Sequence, residues 1–108
     1  SATTMNAADI NQQAMLQVAS EAVQMLKELA NENRLMILCA LSETELSVGE
    51  LNERIDLSQS ALSQHLARLR GQGLVQTRRK GQTIYYSLPD AEAMEIIRLL
   101  HDLYCPTI

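Results

Sequence analysis

The run Leu57-Ser58-Gln59-Ser60-Ala61-Leu62-Ser63-Gln64-His65-Leu66-Ala67-Arg68-Leu69-Arg70 constrains the chain more than any other stretch. At about 100° per residue, Leu62, Leu66 and Leu69 line one side of a helix, and Gln59, Ser60, Ser63, Gln64 and Ala67 line the other. The outer side is small, rich in amides and hydroxyls, and free of acids. Ser58 stands at the N-cap position, where its hydroxyl accepts from the first unpaired backbone N–H groups. Such a face suits the floor of a DNA major groove. Glutamine bonds an adenine edge, serine reads either partner, and arginines such as Arg68 and Arg70 hold phosphates. An ordinary solvated helix face has a similar composition, so the neighbours decide.

Upstream, Ser47-Val48-Gly49-Glu50-Leu51-Asn52-Glu53-Arg54-Ile55 reads as a short helix with Val48, Leu51 and Ile55 inward. A tight Asp56-Leu57 corner joins it to the Ser58 helix, giving a helix-turn-helix. Downstream, Gly71-Gln72-Gly73 stops the helix. Leu74-Val75-Gln76-Thr77-Arg78-Arg79 and Thr83-Ile84-Tyr85-Tyr86-Ser87-Leu88 then read as strands around Lys80-Gly81-Gln82, where glycine supplies positive φ at a hairpin tip. The cations beside that tip make a wing that lies along the backbone or in a minor groove. The expected fold is mainly α with a small β-hairpin, a winged helix-turn-helix of order ααααββα. Its DNA-contacting set is Ser58, Gln59, Ser60, Ser63, Gln64, His65, Arg68 and Arg70 on the helix, with Arg78, Arg79, Lys80 and Gln82 on the wing. His65 borders the core stripe, so packing is its competing role.

Residues 28–88 resemble the ArsR/SmtB family of bacterial repressors. The likeness rests on Leu29-Ala30-Asn31-Glu32-Asn33-Arg34-Leu35-Met36-Ile37-Leu38, on Glu45-Leu46-Ser47-Val48-Gly49-Glu50-Leu51, on the Ser58 helix and on Tyr85-Tyr86-Ser87-Leu88. It implies a homodimer that joins through its first and last helices and binds double-stranded DNA at an inverted-repeat operator.

The net charge of −4 speaks against DNA until its distribution is considered. Residues 57–88 hold five cations and no acid, whereas the rest of the chain holds four cations and thirteen acids. A basic face on an acidic body sets which side meets phosphate, because screening cuts interactions beyond about 10 Å. The 108 residues suffice for one domain, and with three Tyr and no Phe or Trp its core is aliphatic. No apolar run approaches the roughly 20 residues that span a bilayer, and the N-terminus lacks a secretory layout, so a cytoplasmic protein without membrane contact is expected.

Residues 1–9 read as a flexible tail and residues 10–108 as the DNA-binding and dimerisation domain. From Ile10, Ala14, Val18, Ala22, Met25 and Leu29 recur at helical spacing. Asn31 caps a second, nearly buried helix over residues 32–41, in which Arg34 either snorkels or pairs with an acid such as Glu28 or Glu32. Residues 42–46 read as a loop. Pro89 suits the first position of a last helix, with Asp90, Glu92 and Glu95 near its positive end. The row Met94, Ile97, His101 and Tyr104, with Ile96, Leu99, Leu100 and Leu103 nearby, is wide enough to want both the body and a second copy.

The metal sites of the family do not carry over. Where arsenic- and cadmium-type members have a Cys-x-Cys pair, this chain has Ser47 and Gly49. Of the late-helix set of zinc-type members only Asp90 is present, because Glu92, Leu103 and Pro106 occupy the other positions. Zinc wants about four ligands, and Asp90 with His101 is half a site. No metal or cofactor is expected, and His101 reads as a packing residue. No nucleophile triad or phosphate loop suggests an enzyme, and no catalytic residue is assigned.

Cys39 and Cys105 remain. By their residues alone they are either small core hydrophobes or a dithiol switch between two helices. Arg34-Leu35-Met36-Ile37-Leu38-Cys39 and Leu100-His101-Asp102-Leu103-Tyr104-Cys105-Pro106 resemble the sulfide- and persulfide-responsive branch of the family, that of the BigR, SqrR and HlyU proteins. That resemblance implies that a persulfide or related oxidant links the two cysteines through a disulfide or polysulfide and releases the operator. A general peroxide-type regulator and a switchless architectural regulator of the same fold are the alternatives.

Overall fold

In the computed structural model the described residues are 7–89 and 92–104, with side chains described from residue 11 and, in the last helix, from residue 94. Helix α1 (Ala7–Leu29) begins three residues before Ile10 and is about 34 Å long at 1.5 Å per residue. It breaks at Ala30-Asn31. The Asn31 side chain, on extended backbone, accepts from the Arg34 N–H at 3.0 Å and caps α2 (Glu32–Glu43). Arg34 also closes the end of α1: its Nε donates to the Glu28 carbonyl at 2.7 Å and its Nη2 to the Lys27 carbonyl at 3.2 Å. Carbonyls that a helix terminus leaves open are thereby satisfied. Arg34 pairs with Glu28 as expected, with Nε 3.7 Å from the carboxylate.

The segment expected to be a loop differs in two ways. Helix α2 runs on to Glu43, and Leu46–Ser47 forms a short strand β1. Ser47 then caps α3 (Val48–Arg54) in a reciprocal box: its hydroxyl accepts from the Glu50 N–H at 3.2 Å, and the Glu50 carboxylate accepts from the Ser47 N–H at 3.1 Å. At the corner that follows, the Asn52 side chain donates to the Leu57 carbonyl at 2.7 Å. Helix α4 (Gln59–Gly71) starts at the Ser58 cap, whose hydroxyl accepts from the Ala61 N–H at 3.1 Å. Gly73, at φ +74°, turns the chain out of it.

Strands β2 (Gln76–Lys80) and β3 (Thr83–Ser87) form the wing, with Gly81 at φ +63° in a two-residue tip. The sheet is antiparallel in the order β1-β3-β2, with Leu46 opposite Tyr86 and Arg78 opposite Tyr85. The winged helix-turn-helix is therefore as expected, with β1 as a third strand. The core is aliphatic: Ile37, Leu38 and Leu41 of α2 meet Leu51 of α3, Leu62, Leu66 and Leu69 of α4, and Ile97 of α5 (Glu92–Tyr104). Pro89 lies ahead of α5, and residues 90 and 91 lie outside the described residues, as do Cys105 and residues 1–6 of the tail expected over 1–9, whose residues 7–9 belong to α1.

Two faces have no cover among the described residues. Residues 11–24 of α1 are exposed on every side, including Met15 at 72% and Leu16 at 66%, and on α5 Leu99, Leu103 and Tyr104 are exposed as well. No helix among the described residues is long and apolar enough to cross a membrane.

Candidate nucleic-acid interface

The leucine stripe of α4 fixes which of its residues face outward. With Leu62, Leu66 and Leu69 at 0% exposure, Ser58, Gln59, Ser60, Ser63 and Gln64 are all exposed, and His65 is half-buried at the boundary. The Ser58 hydroxyl is occupied as the cap and lies 3.4 Å from the Ser60 hydroxyl. The Gln59, Ser63 and Gln64 side chains form no hydrogen bond among the described residues, so their groups are available to base edges.

The five cations of this region divide into two kinds, which the sequence did not distinguish. Arg68 forks onto Glu28 of α1, with Nε 2.8 Å from Oε2 and Nη2 3.0 Å from Oε1. Arg78 forks onto Glu45, its Nε 2.9 Å from each carboxylate oxygen and its Nη2 also bonded to Oε1. Its guanidinium also lies 5.1 Å from the centre of the cross-strand Tyr85 ring. The hydrogen bonds from Arg68 and Arg78 hold the Glu28 and Glu45 carboxyls below their ordinary range, against the opposing effect of burial. Both arginines, expected to contact phosphate, have their planar forks engaged by carboxylates. Arg70, Arg79 and Lys80 are exposed and make no ion pair among the described residues, so they supply free charge for a polyanion.

Strand alternation places Gln76, Arg78 and Lys80 on one face of β2, and Thr77 and Arg79 on the other. Thr77 pairs with Tyr86, which packs on the core, so Arg79 extends past the core edge near the tip. Gln82 is exposed in the tip itself. Missing from the sequence reading are Glu45 and the Arg68 partnership of Glu28. Their one sequence signal is that each acid lies beside a buried leucine, Leu29 or Leu46.

Cys39 is half-buried on α2 against the core, and its carbonyl accepts from the Ser42 hydroxyl at 2.6 Å. Helix α2 packs directly on α5, where His101 Nε2 lies 3.2 Å from Glu43 Oε1 and Arg54 of α3 lies 3.9 Å from Oε2 of the same acid. His101, read as a packing residue, is partly exposed and bridges these two helices. No three His, Cys, Asp or Glu side chains gather to hold a metal among the described residues.

A capped, acid-free helix presented beside a basic two-stranded wing defines a winged-helix DNA-binding domain. Residues 31–77 match the family model described as bacterial regulatory protein, arsR family. The transcriptional activator HlyU of Vibrio cholerae serotype O1 is 54% identical over 94% of both chains. The biofilm growth-associated repressor of Xylella fastidiosa is 42% identical over 81% of this chain and 76% of its own. The structure of reduced HlyU from Vibrio cholerae superposes with a TM-score of 0.82 at 56% identity, covering 87% of this chain and 99% of that one. The chain belongs to the ArsR family of DNA-binding transcriptional regulators and is not an enzyme.

Proposed function

We propose that this regulator is a homodimer that binds an inverted-repeat operator when its cysteines are reduced and releases it when a persulfide links Cys39 to Cys105. The observation that carries the switch is the direct packing of α2 on α5 through Glu43 and His101. Glu43 lies four residues after Cys39 in sequence, and His101 four residues before Cys105. A link between the cysteines therefore acts on two helices that already touch. That a solved structure of the relative HlyU is described as reduced supports redox chemistry in this branch.

The chemistry balances with the persulfide as oxidant. One cysteine thiolate attacks the outer sulfur of RSSH, leaving a protein persulfide and RSH. The second thiolate then attacks the inner sulfur of that persulfide, forming the disulfide and expelling hydrogen sulfide. Two persulfides instead of one give a trisulfide, two RSH and one hydrogen sulfide. A direct bond needs Cα atoms about 4.4–6.8 Å apart, and an inserted sulfur relaxes that demand.

The dimer reading rests on the uncovered apolar residues of α1 and α5. Between these helices runs a groove of about 300 Å³ lined by Val18, Glu21, Ala22, Met25, Leu26 and Ile96, which a second copy would fill. Two recognition helices then stand about one DNA turn apart, as an inverted repeat requires. Ser58, Gln59, Ser60, Ser63, Gln64 and His65 serve base edges and nearby phosphates, while Arg70, Arg79, Lys80 and Gln82 serve the backbone.

Operator titration with and without persulfide tests the switch. Persulfide should lower affinity, a reductant should restore it, and Cys39→Ser or Cys105→Ser should abolish the response while leaving reduced-state binding intact. Mass spectrometry should find the intramolecular link. A Cys105→Ser protein that still releases DNA ends the two-cysteine mechanism. A wild-type protein equally responsive to peroxide favours a general oxidant sensor, and one indifferent to both favours a switchless regulator.

A further inference from the structure

Glu28 is an ionised carboxylate at 1% exposure, more deeply buried than any other acid among the described residues. Its position joins two elements that hardly pack. A cleft of about 230 Å³ separates α1, through Glu21, Gln24, Met25 and Glu28, from Gln72 and Leu74 beyond the end of α4. Across this cleft the fork from Arg68 to Glu28 is the one side-chain bond between α1 and α4 among the described residues. At its α1 end the fork is held stiffly, because Arg34 bonds the Glu28 and Lys27 carbonyls and sits 3.7 Å from the same carboxylate. At its α4 end it holds the last turn of the helix, whereas the first turn is held by the Ser58 cap.

We propose that Glu28 is a positioning residue for operator recognition: by holding Arg68 it ties the C-terminal end of α4 to α1, so that the tilt of the recognition helix follows the helix through which subunits meet. Arg68 then acts through Glu28 and not as a phosphate contact. A fork sets an orientation that a single contact cannot, since two parallel N–H···O bonds define both distance and plane. The inference rests on α4 being the recognition helix and α1 a subunit contact.

The test is a double-mutant cycle in the full-length protein, titrating operator and non-specific duplexes at several salt concentrations with wild type, Glu28→Gln, Arg68→Gln and the double variant. Glu28→Gln keeps the side-chain shape and an acceptor oxygen, and melting curves taken beside the titrations confirm the folded state. Each single variant should lose about tenfold in operator affinity, within the ordinary range of coupling between sites, and the double variant should lose no more than either. Non-specific affinity and the salt slope should stay at wild-type values, which a merely destabilised protein would not show. Arg68→Lys should recover part of the operator affinity. Tighter binding and a steeper salt slope in Glu28→Gln would mean that the freed Arg68 takes a phosphate, and would overturn the proposal. So would losses that add, or a Glu28→Gln protein with wild-type operator affinity. Gln64→Ala in the same assay separates the premises: if it leaves operator preference intact, the assignment of the recognition helix fails independently of the fork.

Discussion

Two positions on α4, two residues apart, should fail in opposite ways, because Leu66 faces the core and Gln64 faces solvent. Leu66 is fully buried among α2, α3 and α4 leucines, so Leu66→Ala removes buried methyl groups and leaves a cavity that the surrounding side chains only partly fill. Such changes cost about 2.7–5 kcal/mol, against a total of about 5–15 kcal/mol for a domain. At roughly 4–8 °C per kcal/mol for a domain of this size, the melting temperature should fall by upwards of about 10 °C. Protomer concentration must be held fixed, since the proposed dimer would add to apparent stability. Gln64→Ala, at an exposed site with no hydrogen bond to break, should move stability by no more than about 0.5 kcal/mol. It should nevertheless cost about 1–3 kcal/mol of discrimination at one operator base pair. The assay is a melting curve beside a binding titration against the operator and its single-base variants. A Leu66→Ala protein that melts like wild type, or a Gln64→Ala protein that melts as low as Leu66→Ala should, would refute this assignment of the two faces.

On the wing, Arg79→Ala and Lys80→Ala should each weaken binding to every sequence and flatten the slope of log affinity against log salt by about 0.9. Arg78→Ala should flatten it less, because Glu45 already holds that guanidinium. Acid stability should follow Glu28 and Glu45, whose carboxyls are held below the ordinary value of 4.5 by their arginines. A lowered folded-state value means that the stabilisation is complete above the unfolded value and is lost as pH falls through the folded one. Denaturant midpoints should therefore be flat down to about pH 5 and decline below it, less steeply in Glu28→Gln.

The legible parts of the fold were those that repeat along the chain. The leucine spacing of α4, the Ser58 and Asn31 caps and the glycine at the wing tip are each encoded within a few residues, and each stands where the sequence put it. Strand β1 escaped because two residues, Leu46 and Ser47, carry no alternation, and their strand character comes from Tyr85 and Tyr86 across the ladder. The engagement of Arg68 and Arg78 escaped for the same reason on a longer scale. Glu28 and Glu45 stand 40 and 33 residues from their partners, and a charge count sees five cations without seeing which are tied down. The apparent segregation of charge is therefore partly bookkeeping of sequence position: two acids of the body are folded back onto the basic region.

That folding back bears on how a switch at one end of the molecule reaches the other. Helix α2 carries Cys39, bonds α5 through Glu43, and contributes Ile37, Leu38 and Leu41 to the core that α4 completes. On the proposed reading, a link from Cys39 to Cys105 pulls on α5, whose anchor is Ile97 at 1% exposure and whose polar tether is the bridge from His101 to Glu43. A hundredfold loss of operator affinity requires only about 2.7 kcal/mol, so neither anchor has to fail completely. Ile96 of α5 lines the same groove as Val18, Ala22 and Leu26 of α1, and displacement of α5 would change what the second subunit of the proposed dimer meets there. From α1 the change has a direct mechanical route to the recognition helix, the fork from Glu28 to Arg68. The route predicts an order of dependence: a protein lacking the fork should still form the cysteine link, yet its operator affinity should fall less on linking than that of wild type.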